Sequence, residues 1–183
     1  MNVETPLNQL EIGKWLFDPA VSLWAIRIAM AVLALGYSIQ FRTGVRNSDL
    51  LAVLWSIGAA FATFHTLTAL HAFHAGSLNE AIESTARRTE ELFGVRVGWG
   101  VYVNYLFVAL WWIDAFWRLR FRASNYRPVE IAIDLFLIAI SFFGAVVFAT
   151  GPIRYLGISA IMFWIWAYRT RTIIMNRQTT IST

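Results

Sequence analysis

The chain contains no cysteine, so disulfides, thiolate metal sites and cysteine nucleophiles are excluded, and redox chemistry says nothing about compartment. A single lysine, Lys14, stands against fourteen arginines, and it falls outside every apolar run, where a retinal Schiff base would need it. Charge is scarce. Only 14% of the 183 residues are Asp, Glu, Lys or Arg, where soluble domains carry about 25%. No Gly-rich phosphate loop or nucleophile elbow is present. The first nineteen residues set Glu4, Glu11 and Asp18 against Lys14, without the basic leader and short apolar core of a cleavable signal peptide.

What the chain does have is apolar bulk: 58% hydrophobic residues, with nine Trp, fourteen Phe and six Tyr. A domain of this size still exposes much of its surface, so the excess cannot be hidden in one small water-soluble core. The lipid bilayer is the partner this composition demands. The formal charge of +4 sits at the ends of apolar runs. That is the membrane pattern, not the basic soluble face of a nucleic-acid binder, so no nucleic-acid partner is expected.

Crossing a ~30 Å hydrocarbon layer takes about twenty apolar residues. Five runs approach that length: about 20–40, 50–75, 100–117, 129–150 (entered at Pro128) and a shorter one at 152–168 after the turn Gly151-Pro152. The expected fold is therefore all-α, one membrane domain of five transmembrane helices. Nine arginines flank the runs on one side, among them Arg42, Arg46, Arg118, Arg120, Arg122 and Arg127, against five basic residues on the other. The positive-inside rule then puts the N-terminus outside and the C-terminus in the cytoplasm.

The one sizeable polar stretch, between the second and third runs, reads as an amphipathic extramembrane helix over about 78–93. Ser77-Leu-Asn-Glu80 is a capping box, and Gly94 is a stop. Leu78, Ile82, Thr85, Thr89 and Leu92 recur at helical spacing, while Glu83, Arg87 and Glu91 follow four apart on the other face.

All three histidines fall in the second run. His71 and His74 are one helical turn apart, so both imidazoles can reach one divalent metal ion, with Glu80 or Glu83 as further ligands. His65 lies nearly opposite His74 on the helical wheel. The bland alternative is interfacial histidines bonded to backbone or Tyr. A bis-histidine haem takes ligands from separate helices, so haem is not expected. Arg27, in the first run, is expected to face the interior and find a carboxylate or a Tyr hydroxyl, since bare charge in lipid is costly. Tyr102, Asn104 and Tyr105 fall at similar depth. Asn104, Trp111, Asp114 and Arg118 share one face of the third run, with Asp114 and Arg118 spaced to pair. Asp134, beside Glu130, starts the fourth. Two such carboxylates can relay protons; more often they anchor to cytoplasmic arginines.

The segments His71-Ala-Phe-His74, Thr85-Ala-Arg-Arg-Thr89, Tyr102-Val-Asn104-Tyr105 and Trp111-Trp-Ile-Asp114-Ala-Phe-Trp117 resemble a family of uncharacterised small multi-span bacterial inner-membrane proteins. The likeness covers about a quarter of the chain, and Ser84 stands where those sequences carry a further His. It implies a bacterial membrane location and no known activity. The leading expectation is a membrane protein with a metal-binding or polar small-molecule site at the outer leaflet. A non-enzymatic accessory subunit packed on other membrane subunits, or a small transporter, are the alternatives.

Overall fold

A computed structural model describes residues 15, 17–46, 48–120, 127–149 and 151–181. Among them every regular element is helical: α1 (Pro19–Thr43), α2 (Asp49–His74), α3 (Leu78–Phe93), α4 (Gly100–Arg120), α5 (Arg127–Phe142) running into a π-helical turn (Phe143–Val147), and α6 (Pro152–Ile181). The residues Glu4, Glu11, Lys14, Arg122 and Thr150, used above for orientation and boundaries, lie outside the described residues, as does the side chain of Arg127.

Three helices are long and apolar enough to cross a membrane: Pro19–Thr43, Asp49–His74 and Pro128–Val147. The chain thus has the helices of a membrane protein. The two further runs expected to span also form helices, but α4 carries Asp114, Arg118 and Arg120, and α6 carries Arg154, Arg169 and Arg171.

The chain divides into two compact units: residues up to Ala29 with Ala59–Ala109, and Met30–Gly58 with the residues from Leu110 onward. In the first unit the buried side chains of α1, α2 and α3 are small: Ser22, Ala25 and Ala29, then Ala59, Ala62 and Thr68, then Ala81 and Ala86, while α4 adds Val101 and Phe107. Small side chains let helix backbones approach closely, which is how helices pack where lipid removes the usual hydrophobic drive. α2 ends where Ala75 and Gly76 turn left-handed, with φ of 49° and 76°. The Gly76 N–H then reaches back to the Leu70 carbonyl at 2.9 Å, satisfying an orphaned helix-end acceptor.

α3 has the bounds its caps predict. Ser77 Oγ accepts the Glu80 N–H at 3.3 Å, and Gly94 at φ 70° returns its N–H to Glu90. The reciprocal half of the box differs: the Ser77 N–H donates to the His74 carbonyl at 2.7 Å. The inward face is centred on Ala81 and Ala86, whereas Leu78 and Leu92 are exposed. Thr89 Oγ1 holds the segment that follows, accepting from the Val97 N–H at 2.9 Å and donating to the Val97 carbonyl at 3.0 Å. On the outer face Arg87 pairs with Glu83, Arg88 with Glu91, and Arg96 with both Glu83 and Glu90.

The second unit is built on large aromatics seated against glycines. Trp55, Trp111 and Tyr37 are its largest fully buried side chains. A methyl on Gly36 would overlap the Trp55 ring, and one on Gly58 the Trp111 ring. Trp164 of α6 donates its indole N–H to Ser38 Oγ at 3.0 Å. The π turn closes with Phe148 N–H to the Phe143 carbonyl at 2.9 Å. Gly157 of α6 lies so near Ala145 in that turn that a side chain would crowd it.

Candidate functional site

The second unit holds a cluster of five charged side chains. Asp114 and Arg118 lie one turn apart on α4, and both are fully buried. Their i,i+4 spacing brings Arg118 Nε to Asp114 Oδ2 at 2.9 Å. The loop after α1 turns at Gly44, whose φ is 71° and whose N–H caps the Gln40 carbonyl at 2.8 Å. That turn aims Arg46 at the cluster. Arg46 Nη2 lies 2.5 Å from Asp114 Oδ1, its Nε 3.2 Å from Asp134 Oδ2, and its Nη1 3.5 Å from Glu130 Oε1. The two α5 carboxylates sit one turn apart near the start of their helix, where the helix dipole favours negative charge.

α1 completes the site. Tyr37 donates its hydroxyl to Asp134 Oδ1 at 3.1 Å, and Gln40 donates its amide N–H to Asp134 Oδ2 at 3.4 Å. Arg118 in turn donates to the Arg46 carbonyl at 2.7 Å, to Gln40 Oε1 at 3.1 Å and to Asp134 Oδ1 at 3.4 Å. Both oxygens of Asp114 and both of Asp134 therefore meet donors of this chain. Burial works against the charge on Arg46, but Asp114, then Asp134 and Glu130, outweigh it, and its pKa is raised above the ordinary arginine value. Two guanidiniums lie among three carboxylates, each held by ion pairs to the others; removing one partner would strand a buried charge, at a cost of about 3–5 kcal/mol.

The sequence pattern anticipates the Asp114–Arg118 pair and the arginine anchoring of Asp134. It treats Arg46 only as a topology marker, and it passes over Tyr37, Gln40 and Trp55. A usable signal was there: the acids Asp114, Glu130 and Asp134 of two apolar runs have one arginine, Arg118, spaced to pair on the same helix, so a second cation has to come from a short flanking loop. Asn104 does not join the face of Trp111, Asp114 and Arg118. It is exposed, as are Tyr102 and Tyr105, and the covered positions at that level of α4 are Val101 and Phe107.

In the first unit the four residues read as metal ligands do not assemble. Among the described residues no group of three or more His, Asp or Glu is placed to hold a metal ion. The His71 ring is exposed and stacks on Phe17 with centroids 4.7 Å apart, its Nδ1 3.3 Å from the Leu67 carbonyl of its own helix. His74 lies edge-on to its neighbour Phe73. Glu80 is exposed at the start of α3, and Glu83 is taken by Arg87 and Arg96.

His65 is held differently. Its Nδ1 lies 2.9 Å from the Ser22 carbonyl and 3.1 Å from Ser22 Oγ. A carbonyl only accepts, so Nδ1 carries the proton in that bond and, in the neutral ring, Nε2 presents its lone pair.

Arg27 does not turn inward as expected. The buried positions of α1 in this unit are Ser22, Ala25 and Ala29, and residue 27 lies two places from each of the last two, roughly half a turn off their stripe. It is exposed, with its guanidinium carbon 4.9 Å from the centroid of the Trp24 ring. No family model, curated protein or solved structure matches the chain.

Proposed function

We propose that the chain is a five-span bacterial inner-membrane protein, with its N-terminus outside and its C-terminus in the cytoplasm, that works as a non-enzymatic accessory subunit of a larger membrane complex. The observation that carries this reading is the closure of the charge cluster. Both oxygens of Asp114 and of Asp134 are engaged by Arg46, Arg118, Tyr37 and Gln40. These groups fasten a loop and three helices to one another, and Asp114 and Asp134 keep no oxygen free for a substrate.

The same burial supports five crossings. Asp114 and Arg118 are hidden within their unit, so α4 presents Leu106, Ile113 and Phe116 outward, and α6 presents Leu156, Met162 and Ile165. Trp112 and Trp166 are exposed on these helices and would pack on neighbouring subunits. The uneven arginine flanks support the orientation, and the resemblance to small bacterial membrane proteins supports the location. The test is purification of the tagged full chain in two mild detergents. A fixed set of partner subunits at constant stoichiometry is expected. Elution of the 20.8 kDa chain without partners in both detergents would contradict the reading.

A second reading keeps a ligand site among the histidines, and His65 is what favours it. Donating Nδ1–H to a backbone carbonyl is how proteins orient an imidazole whose Nε2 binds a metal or a polar ligand. Metal analysis of the purified protein and of His65→Ala separates the two readings: metal held by the wild type and absent from the variant supports this one.

A further inference from the structure

The outward position of Arg27 calls for an anion that the chain does not supply. α1 is a membrane-crossing helix of 25 residues. At 1.5 Å per residue it is ~37 Å long, about 7 Å longer than the hydrocarbon layer. Its outward side near Arg27 is apolar: Leu23, Trp24 and Ile28 are all exposed. Among the described residues the Trp24 ring is the only partner Arg27 has. The nearest acid in sequence, Asp18 just before the helix, sits nine residues away, and its Oδ1 accepts the Ala20 N–H at 2.7 Å.

The guanidinium leans toward the helix N-terminus, the direction in which helical side chains point. Trp24 lies about 8 Å along the axis from Pro19. An upright, centred helix projects about 4 Å beyond the hydrocarbon at each end, so the charge stands about 4 Å beneath the boundary. A long basic side chain at that depth reaches up to the headgroup layer, and a Trp beside it is the residue that favours the boundary.

We infer that Arg27 and Trp24 form a binding site for the phosphodiester of an anionic phospholipid in the leaflet at the N-terminal end of α1. The guanidinium donates to the phosphate oxygens, while the indole braces it alongside and packs on the acyl chain. This site is independent of any partner subunit and of the charge cluster.

Native mass spectrometry of the full chain, titrated with phosphatidylglycerol in mild detergent, tests it. The wild type should hold one phosphatidylglycerol that survives removal of the others. Arg27→Gln should lower the fraction of chains carrying it about fivefold, the effect of losing one basic residue beside anionic lipid. Removing a charge from an apolar helix does not hinder insertion, and Arg27→Lys should keep part of the binding. Equal retention by Arg27→Gln and wild type would overturn the site, as would equal retention of phosphatidylcholine. A photoreactive residue at position 23 that crosslinks only to protein would overturn it too, making Arg27 a subunit contact.

Discussion

The guanidinium carbon of Arg118 lies over the ring of Trp55, 3.8 Å from its centroid. The ring face supplies electron density to a charge that no water reaches, a contact worth about 2 kcal/mol when desolvated. Trp55 is in turn edge-on to Tyr37, 5.0 Å away, and Tyr37 donates to Asp134. One aromatic thus ties the charge cluster to the packing of its unit. Replacing Trp55 with Leu keeps apolar bulk but removes the ring. Thermal unfolding of the purified variant should show a loss of about 2 kcal/mol or more.

Trp55 has room only because residue 36 is glycine. Gly36→Ala should force the indole off its seat, and overpacking of this kind costs about 1–3 kcal/mol. Equal denaturation midpoints for this variant and the wild type would show that the unit absorbs the methyl.

Arg46 offers a pH test. Its pKa is raised in the folded chain, so its contribution is fully present below the unfolded value and is lost only as pH rises through the folded one. Both lie far above neutral pH. Arg46→Lys places a group of ordinary pKa about 10.4 in the same loop and loses the fork that reaches three carboxylates. Unfolding curves should show the variant less stable than wild type at neutral pH, with the gap widening above about pH 10.

The proposed five crossings, with the C-terminus in the cytoplasm, predict the behaviour of topology reporters. Alkaline phosphatase fused after Thr183 should be inactive, and fused within residues 79 to 92 it should be active. The opposite pattern would reverse the orientation.

Local rules made α3 legible down to its caps, because Ser77 and Gly94 act on backbone groups within a few residues of themselves. The Asp114–Arg118 pair was legible for the same reason. Arg27 was not, because the argument from charge cost assumes the interior supplies a partner, while the stripe Ser22, Ala25 and Ala29 had already assigned the inward face to small residues. Arg46 escaped because its role depends on helices sixty or more residues further along. The histidine pair shows the limit of spacing: His71 and His74 share a turn, yet Phe17 stacks on one and the arginines of α3 and its loop draw off Glu83.

The central claim is that the buried charges of the second unit form one interdependent latch, and a double-mutant cycle on Asp114 and Arg118 measures it directly. Unfolding free energies would be compared in detergent for the wild type, Asp114→Leu, Arg118→Leu and the double variant. Each single variant strands a charge, so the account predicts losses of about 3–5 kcal/mol. The double variant should lose less than the sum of the two, by a coupling on the order of 1–3 kcal/mol. Additive losses, equal to the sum within about 0.5 kcal/mol, would contradict it.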